Sequence, residues 1–352
     1  MAGTYNYIIV GQGIAGTVMA HSLIALGRSV LVIDNNDPHA ASKVAAGIYN
    51  PVVPKRLAKS WKADEAFPVM IDFYTDLERL FGDTFFYRKK MIKPFVQEQE
   101  KDLWIKKTQE EVGVYLSPEI VYDDLGGVIH NPLGAAEILE TGNLDVLTFL
   151  DDSRQYLKKN NALLEETFEH ALLQITENGI SFKEHHAERI IFCEGHRTTL
   201  NPWFCKADYR LTKGEVLIIR LPEKEIGFDL LVNKGVFILP LGNGTYKVGA
   251  TFNWEDLSTE TTAKAKAELI EKLKKVLKVP FEIIDQLAGI RPTMNDRRPI
   301  IGFHPEHPVL GIFNGLGTKA VMLAPYFARH FVGVLENGHP IDPEVDVRRF
   351  QL

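Results

Sequence analysis

The chain has 352 residues, of which 45% are hydrophobic and 24% charged, with a formal net charge of −6; this is globular composition at a length that suggests two or three lobes. The acidic balance argues against a general binder of phosphate backbones, which carries a basic excess. Two cysteines, Cys193 and Cys205, are too few for a disulfide framework or a cysteine-rich metal site, and no apolar run has the length of a membrane span.

Tyr7-Ile-Ile-Val10 predicts a buried strand, Gly11, Gly13 and Gly16 form a Gly-x-Gly-x-x-Gly turn, and the following residues predict a helix and a second strand ending at Asp34. Each piece suits a dinucleotide. Gly11 permits a tight turn, Gly13 lets the backbone approach a pyrophosphate, and Gly16 lets the helix pack on the strand. The first helical turn, with Ile14 and Ala15, offers unpaired N–H groups to phosphate. Asp34, with Asn35 beside it, stands where an acid accepts from a ribose diol. The loop from His39 to Pro54 is rich in small residues and is expected to pack closely, with a ligand as one candidate neighbour. Within it, Tyr49 either closes over that ligand or simply packs.

Phe67, Met70, Phe73, Tyr74, Leu77 and Leu80 recur at helical spacing and predict an amphipathic helix with a core-facing stripe. Residues 85–87, 91–95 and 127–130 read as short strands, and Leu144–Asn160 as a helix. From Ala171 to Phe182 the alternation is interrupted at Asn178-Gly179, as in a hairpin. Arg189–Gly195 reads as a buried strand returning parallel to the first. Cys193 is expected as a small core residue; His185, His186 and His196 lack metal-ligand companions and are expected on the surface or in turns. Residues 215–221, 230–232, 236–239 and 246–251 predict antiparallel strands. Thr261–Leu277 predicts a helix whose lysines (Lys264, Lys266, Lys272, Lys274 and Lys275) make a solvated face, with contact to tRNA as the alternative. Ile300–Gly302, Val309–Phe313, a glycine turn at Gly315–Gly317 and a helix through Phe331 complete the pattern. With no repeat and no linker, the lobes are expected to be interleaved. No secretory signal is recognised, and a reducing cytoplasm is the expected compartment.

With these pieces in order, the chain resembles the FAD-dependent D-amino-acid oxidase-like superfamily, which includes glycine oxidase and sarcosine oxidase. It is also similar to the FAD-dependent half of the bifunctional enzyme that makes 5-methylaminomethyl-uridine in tRNA. The resemblance covers nearly the whole length and rests on Gly11–Gly16, Ala41–Gly47, Cys193–Gly195, Lys213–Glu215, Val248–Thr251, Ala288–Pro292, Pro299–Gly302 and Gly317–Pro325. It implies an α/β fold, α+β in the substrate lobe: a Rossmann-type FAD-binding domain over 1–80, 140–205 and 289–352, with an inserted antiparallel or mixed-sheet substrate domain over 81–139 and 206–288.

The resemblance further implies that Ser42, Ala46, Gly47 and Gly195 border the cofactor. It places the loop of Gly315, Gly317, Thr318 and Lys319 with its N–H groups facing the flavin pyrimidine ring. Arg291 matches the arginine that clamps a substrate carboxylate, a task suited to a planar guanidinium; the alternative is an ion pair with Asp296. Phe237 and Phe252 are expected on the substrate side, and Lys319 and Tyr49 join Arg291 as candidate catalytic residues. FAD is expected to be non-covalent, because Arg291–Arg298 holds no cysteine at the attachment site. The implied activity is oxidation of a C–N bond in an amine or N-substituted amino acid. Three departures stand out. Phe237 replaces a tyrosine and Thr318 an arginine of glycine oxidases, and Lys319 replaces an arginine of the tRNA enzyme. Asn253–Asp256 also lacks the lysine with which sarcosine oxidases activate oxygen, leaving oxidase and dehydrogenase both open. A tRNA-modifying enzyme, a pyridine-nucleotide dehydrogenase and a flavin-binding protein without turnover are the alternatives.

Overall fold

Strand, glycine turn and helix follow one another at the start of the chain as the spacing predicts, in a computed structural model that describes residues 3–221 and 227–352. The opening elements are β1 (Gly3–Val10), α1 (Ile14–Ile24), β2 (Val30–Ile33), the short α2 (Ala41–Val44), β3 (Ile48–Tyr49), β4 (Val52–Val53), β5 (Ala58–Lys59) and α3 (Ala63–Phe81). Next come β6 (Phe86–Arg88), β7 (Met91–Pro94), α4 (Glu98–Lys107), β8 (Leu116–Val121), β9 (Ala135–Ile138) and β10 (Gly142–Leu144). Then α5 (Val146–Lys159), β11 (Leu163–Leu164), β12 (Leu173–Thr176), β13 (Gly179–Phe182) and β14 (His185–Phe192) lead into β15 (Thr212–Arg220). The chain continues with β16 (Leu231–Asn233), β17 (Phe237–Gly242), β18 (Thr245–Gly249), α6 (Ala263–Lys274), β19 (Glu282–Arg291), β20 (Ile300–Phe303), β21 (Leu310–Asn314) and α7 (Ala320–Asn337).

The first sheet runs β11-β2-β1-β14-β13-β12, with β21 also paired to β14 and β20 to β21. Its centre is parallel, since β1 pairs with both β2 and β14 in that sense. Residues of β1 alternate between two cores. Tyr7 and Ile9 face a cluster built with α1, α3, α5 and α7, while Ile8 and Val10 face a second cluster around Phe192 and Phe204. A strand covered on both faces has no polar side, which is why residues 7–10 read as one apolar run. Phe67, Met70, Tyr74 and Leu77 bury the expected stripe of α3, but Leu80 is 51% exposed at its end.

The second sheet, β19-β15-β18-β17-β16-β7-β9-β8, is antiparallel apart from the β16–β7 pair. One face packs on α6 through Leu269 and Leu273, and the lysines of α6 lie on its outer side as expected. A smaller sheet, β3-β10-β6, joins the two regions.

Two expectations fail, and one helix was not foreseen. Gly127–His130 is a turn with a single bridge from Ile129 to Leu277, and the sheet edge is made instead by β8 and β9. Those strands escape the pattern because Pro118 interrupts the edge strand β8 and β9, one strand in, reads Ala-Ala-Glu-Ile, whose alanines and glutamate are poor strand formers. α4, whose one buried residue is Trp104, has too narrow an apolar stripe to show a period. His185 is buried in β14 against Tyr5, not on the surface, because β14 begins four residues before the apolar run that announces it.

Candidate active site

The ends of β1, β2, β14 and β21 and one face of the second sheet enclose a cleft of about 980 Å³. Ligands in parallel α/β sheets bind beyond the carboxyl ends of the strands, and this is where Gly11, Gly13, Ile14, Ala15, Asp34, Asn35 and Gly195 line the wall. A Cβ on Gly16 would overlap the Gly11 carbonyl, so this glycine lets α1 approach β1 without itself reaching the cleft. A Cβ on Gly13 would stand 2.9 Å from the Ser42 hydroxyl. That hydroxyl accepts from the Ile14 N–H at 3.1 Å, leaving its own proton free to donate into the cleft. Ser42, Ala46 and Gly47 line the same stretch. Lys247, buried on β18, donates to the Ala45 carbonyl at 3.0 Å and the Val44 carbonyl at 3.5 Å, and so pins the end of α2 to the second sheet.

Asp34 is held more firmly than its position alone requires. Its carboxylate accepts from the N–H groups of Gln12 (2.8 Å) and Asn36 (2.7 Å) and from Arg154 Nη1 at 3.0 Å. Arg154, buried on α5, also donates to Gln12 Oε1 at 2.6 Å and to Glu165 at 2.9 Å. A carboxylate has about four lone-pair sites, so one remains for a ribose hydroxyl. Arg154 gave no sequence signal, being an arginine in an amphipathic helix 120 residues from its partner. Asn314 was also missed; its Nδ2 donates to the Gly195 carbonyl at 2.9 Å and its Oδ1 accepts from Gly315 N–H at 2.8 Å. Gly13, the Ser42 proton, the α1 terminus and Asp34 form a cradle that fits the pyrophosphate and ribose of FAD.

The opposite wall carries Arg291, Phe237, Phe252 and Gly214. The Arg291 guanidinium lies flat over Gly214, where any Cβ would fall within it, and its carbon is 4.6 Å from the centre of the Phe252 ring. Its one hydrogen bond among the described residues runs from Nη1 to the Thr251 carbonyl at 3.3 Å. Burial lowers its pKa to about 10. The expected alternative, an ion pair with Asp296, is not formed; Asp296 takes Arg349 Nε at 2.9 Å. Arg298 is half-buried against Trp61, whereas Arg297 is exposed. Phe252 is itself 56% exposed, standing at the mouth of the cleft.

Lys319 and Thr318 reach the cleft from the turn before α7. The Lys319 ammonium donates to the Asn50 carbonyl (3.1 Å) and Oδ1 (3.0 Å) and has no acid partner among the described residues; burial lowers its pKa to about 8. Three backbone donors of this loop are not free as the resemblance implies: Gly317 N–H binds the Pro292 carbonyl at 3.2 Å, Lys319 N–H binds the Leu316 carbonyl at 3.3 Å, and Gly315 N–H binds Asn314. Gly315 itself is off the cleft wall. Tyr49 is also off the wall. It is buried, stacks on Phe86 at 4.9 Å and donates to the Tyr87 carbonyl at 3.0 Å, so packing is the role its surroundings support. Cys193 is buried in the core beneath the glycine turn, where desolvation keeps the thiol protonated.

Residues 6–333 match the DAO family of FAD dependent oxidoreductases, and the chain belongs to that family. It is thus an FAD-dependent oxidoreductase, which sets aside the pyridine-nucleotide alternative. The bifunctional protein MnmC of tRNA 5-methylaminomethyl-2-thiouridine biosynthesis from Leptospira interrogans is 23% identical over 97% of this chain, which spans 59% of that protein's length. Glycine oxidase of Pseudomonas putida is 23% identical, covering 96% of both chains. The crystal structure of glycine oxidase from Geobacillus kaustophilus superposes with a TM-score of 0.77 at 20% identity over 96% of each chain, which bears out the fold class. No described helix is long and apolar enough to cross a membrane.

Proposed function

We propose that this oxidoreductase acts on a C–N bond of an N-substituted amino acid or amine, with FAD held non-covalently by the first lobe and the substrate by the second. The observation that carries this reading is Arg291: a half-buried guanidinium without an acid partner among the described residues, fixed in a slot on the wall of the cleft that the dinucleotide turn also lines. A desolvated cation left unpaired is costly, and a substrate carboxylate completes it with two parallel hydrogen bonds. When bound, FAD supplies the acceptor for a hydride from the carbon beside nitrogen, leaving an imine that water hydrolyses. The chain's own part is binding and orientation. Arg291 sets the angle of the substrate, Phe237 and Phe252 wall it from water, and Lys319 keeps a positive charge on the cleft wall up to about pH 8. An amine that binds unprotonated needs no general base. Similarity to glycine oxidase over nearly the whole of both chains supports the amino-acid class.

A panel of amino acids and N-substituted amino acids, each paired with its decarboxylated form, tests this by anaerobic bleaching of the flavin. The acid forms should reduce it, and Arg291→Ala should lose roughly a hundredfold in catalytic efficiency with flavin content unchanged. Equal rates on acid and decarboxylated forms would overturn the role of Arg291. Likeness to the MnmC protein favours a second reading, a tRNA substrate; tight, salt-sensitive tRNA binding would support it.

A further inference from the structure

We infer that the cleft ends, beyond Phe237, in a second anion site, which reads an acidic group at the far end of the substrate; this rests on the amino-acid reading above. Across the second sheet, Val216, Gly249, Phe237 and Asn233 stand in one row of paired residues. The parallel pairs Leu231–Met91 and Val232–Ile92 carry that row on to Lys93 of β7. All five residues line the cleft. At one end the Arg291 guanidinium lies over Gly214, two residues before Val216 on β15. At the other end Lys93, Lys234 and Glu100 lie together on the wall, which also carries the exposed Lys55.

Charge at this end does not balance. Lys93, nearly fully buried, pairs with Glu100 at 2.9 Å, and the same Glu100 oxygen accepts from the Val96 N–H at 2.9 Å. Lys234 donates only to the His130 carbonyl, at 2.7 Å, and neither it nor Lys55 has an acid partner among the described residues. Burial, more than the neighbouring Lys93, holds Lys234 below the ordinary lysine range. Lys93 and Lys234 thus face one carboxylate, and the exposed Lys55 adds a further positive charge on the cleft wall. Arg291 already serves the carboxylate of a simple amino acid, so this surplus needs a second anion.

Spacing sets the kind of molecule. From β15 to β7 there are four strand intervals, about 19 Å at the usual separation, which the lysine side chains shorten by leaning inward. Two acids one carbon from the same nitrogen cannot span it. The substrate class that fits is an amino acid whose nitrogen or side chain bears an arm of several atoms ending in a carboxylate.

The test uses the holoenzyme and three glycine derivatives: N-propylglycine, iminodiacetate and N-(3-carboxypropyl)glycine. Binding is followed by the shift in the flavin spectrum and turnover by anaerobic reduction. The long acidic arm should bind at least roughly tenfold more tightly than the neutral one, as a charge-assisted contact provides, and more tightly than the short diacid. Lys234→Gln and Lys55→Gln, at less buried positions than Lys93, should each shrink the preference, and the double variant should bring the ratio near one. Equal binding of the neutral and acidic arms, with normal flavin reduction by both, would overturn the second site and leave the amino-acid reading standing. Lysine-dependent binding of the acidic arm without flavin reduction by any member would keep the site and remove that reading. Loss of salt-sensitive tRNA binding in the lysine variants, with no change in the glycine series, would assign the lysines to nucleic acid and overturn the proposal.

Discussion

Gly214→Ala separates substrate binding from folding. The backbone at Gly214 is ordinary β-strand, paired to Gly289, so alanine is conformationally acceptable and slightly narrows the unfolded ensemble. The new methyl group would fall inside the Arg291 guanidinium, which is the far end of a flexible side chain and can move away. Reaching ordinary van der Waals separation requires a retreat of roughly 1 Å or more, which breaks the stack on Phe252 and the bond to the Thr251 carbonyl. A misplacement of about 1 Å in a positioning group can cost on the order of a hundredfold in rate. The expected result is a protein with unchanged flavin content and a melting temperature within a few degrees of the parent. Its kcat/KM, measured by stopped-flow flavin reduction with an amino-acid substrate, should fall by about that factor. A parent-like kcat/KM would refute the placement of the guanidinium as substrate anchor, and loss of flavin instead would mean that Gly214 faces the cofactor.

Gly13→Val should abolish FAD binding while preserving secondary structure, because the side chain enters the cradle beside Ser42; a full flavin complement after purification would disprove it. Arg154→Met should weaken FAD binding by roughly tenfold by freeing Asp34. Arg154→Lys should recover only part, since an ammonium cannot reproduce the fork to Gln12, Asp34 and Glu165; titration of the apoprotein measures both. His21, buried on α1 with its Nε2 2.7 Å from the Ser153 hydroxyl, has its pKa lowered to about 4 by burial. Above pH 6.5 it is neutral in both states, between 6.5 and about 4 only the unfolded chain takes the proton, and below that both do. Stability should therefore drop by about 3 kcal/mol as pH falls through this window. Urea melts of the parent and His21→Gln should diverge by that amount between pH 7 and 4, and parallel curves would rule it out.

The dinucleotide turn was legible because its parts are adjacent in the chain: Gly11, Gly13 and Gly16 precede a helix, and Asp34 ends the next strand. Arg291 was legible only through the Gly-Ile-Arg-Pro landmark of a resemblance, and nothing local showed that Gly214 makes room for it. Partners brought together by the sheets left no trace. Arg154 meets Asp34 across 120 residues, and Lys319 meets Asn50 across 269. The cluster of Lys93 and Lys234 exists only because β7 and β16 pair in parallel, a choice that alternation within a strand does not encode. Tyr49 misled for a related reason: a tyrosine in a small-residue loop looks like a lid until the strand β10 that buries it is known.

The contact of Lys247 with the carbonyls of Val44 and Ala45 has a consequence for how the molecule can be cut. The loop that shapes the cofactor cradle is fastened to a strand encoded about 200 residues later, so the nucleotide-binding half does not exist as a separable module. A fragment ending before β18 would carry every glycine of the turn and still lack the peg that sets Ser42 beside Gly13. Capture of the dinucleotide then follows closure of the second sheet, and a nick in the β17–β18 hairpin should loosen flavin by freeing the Lys247 peg.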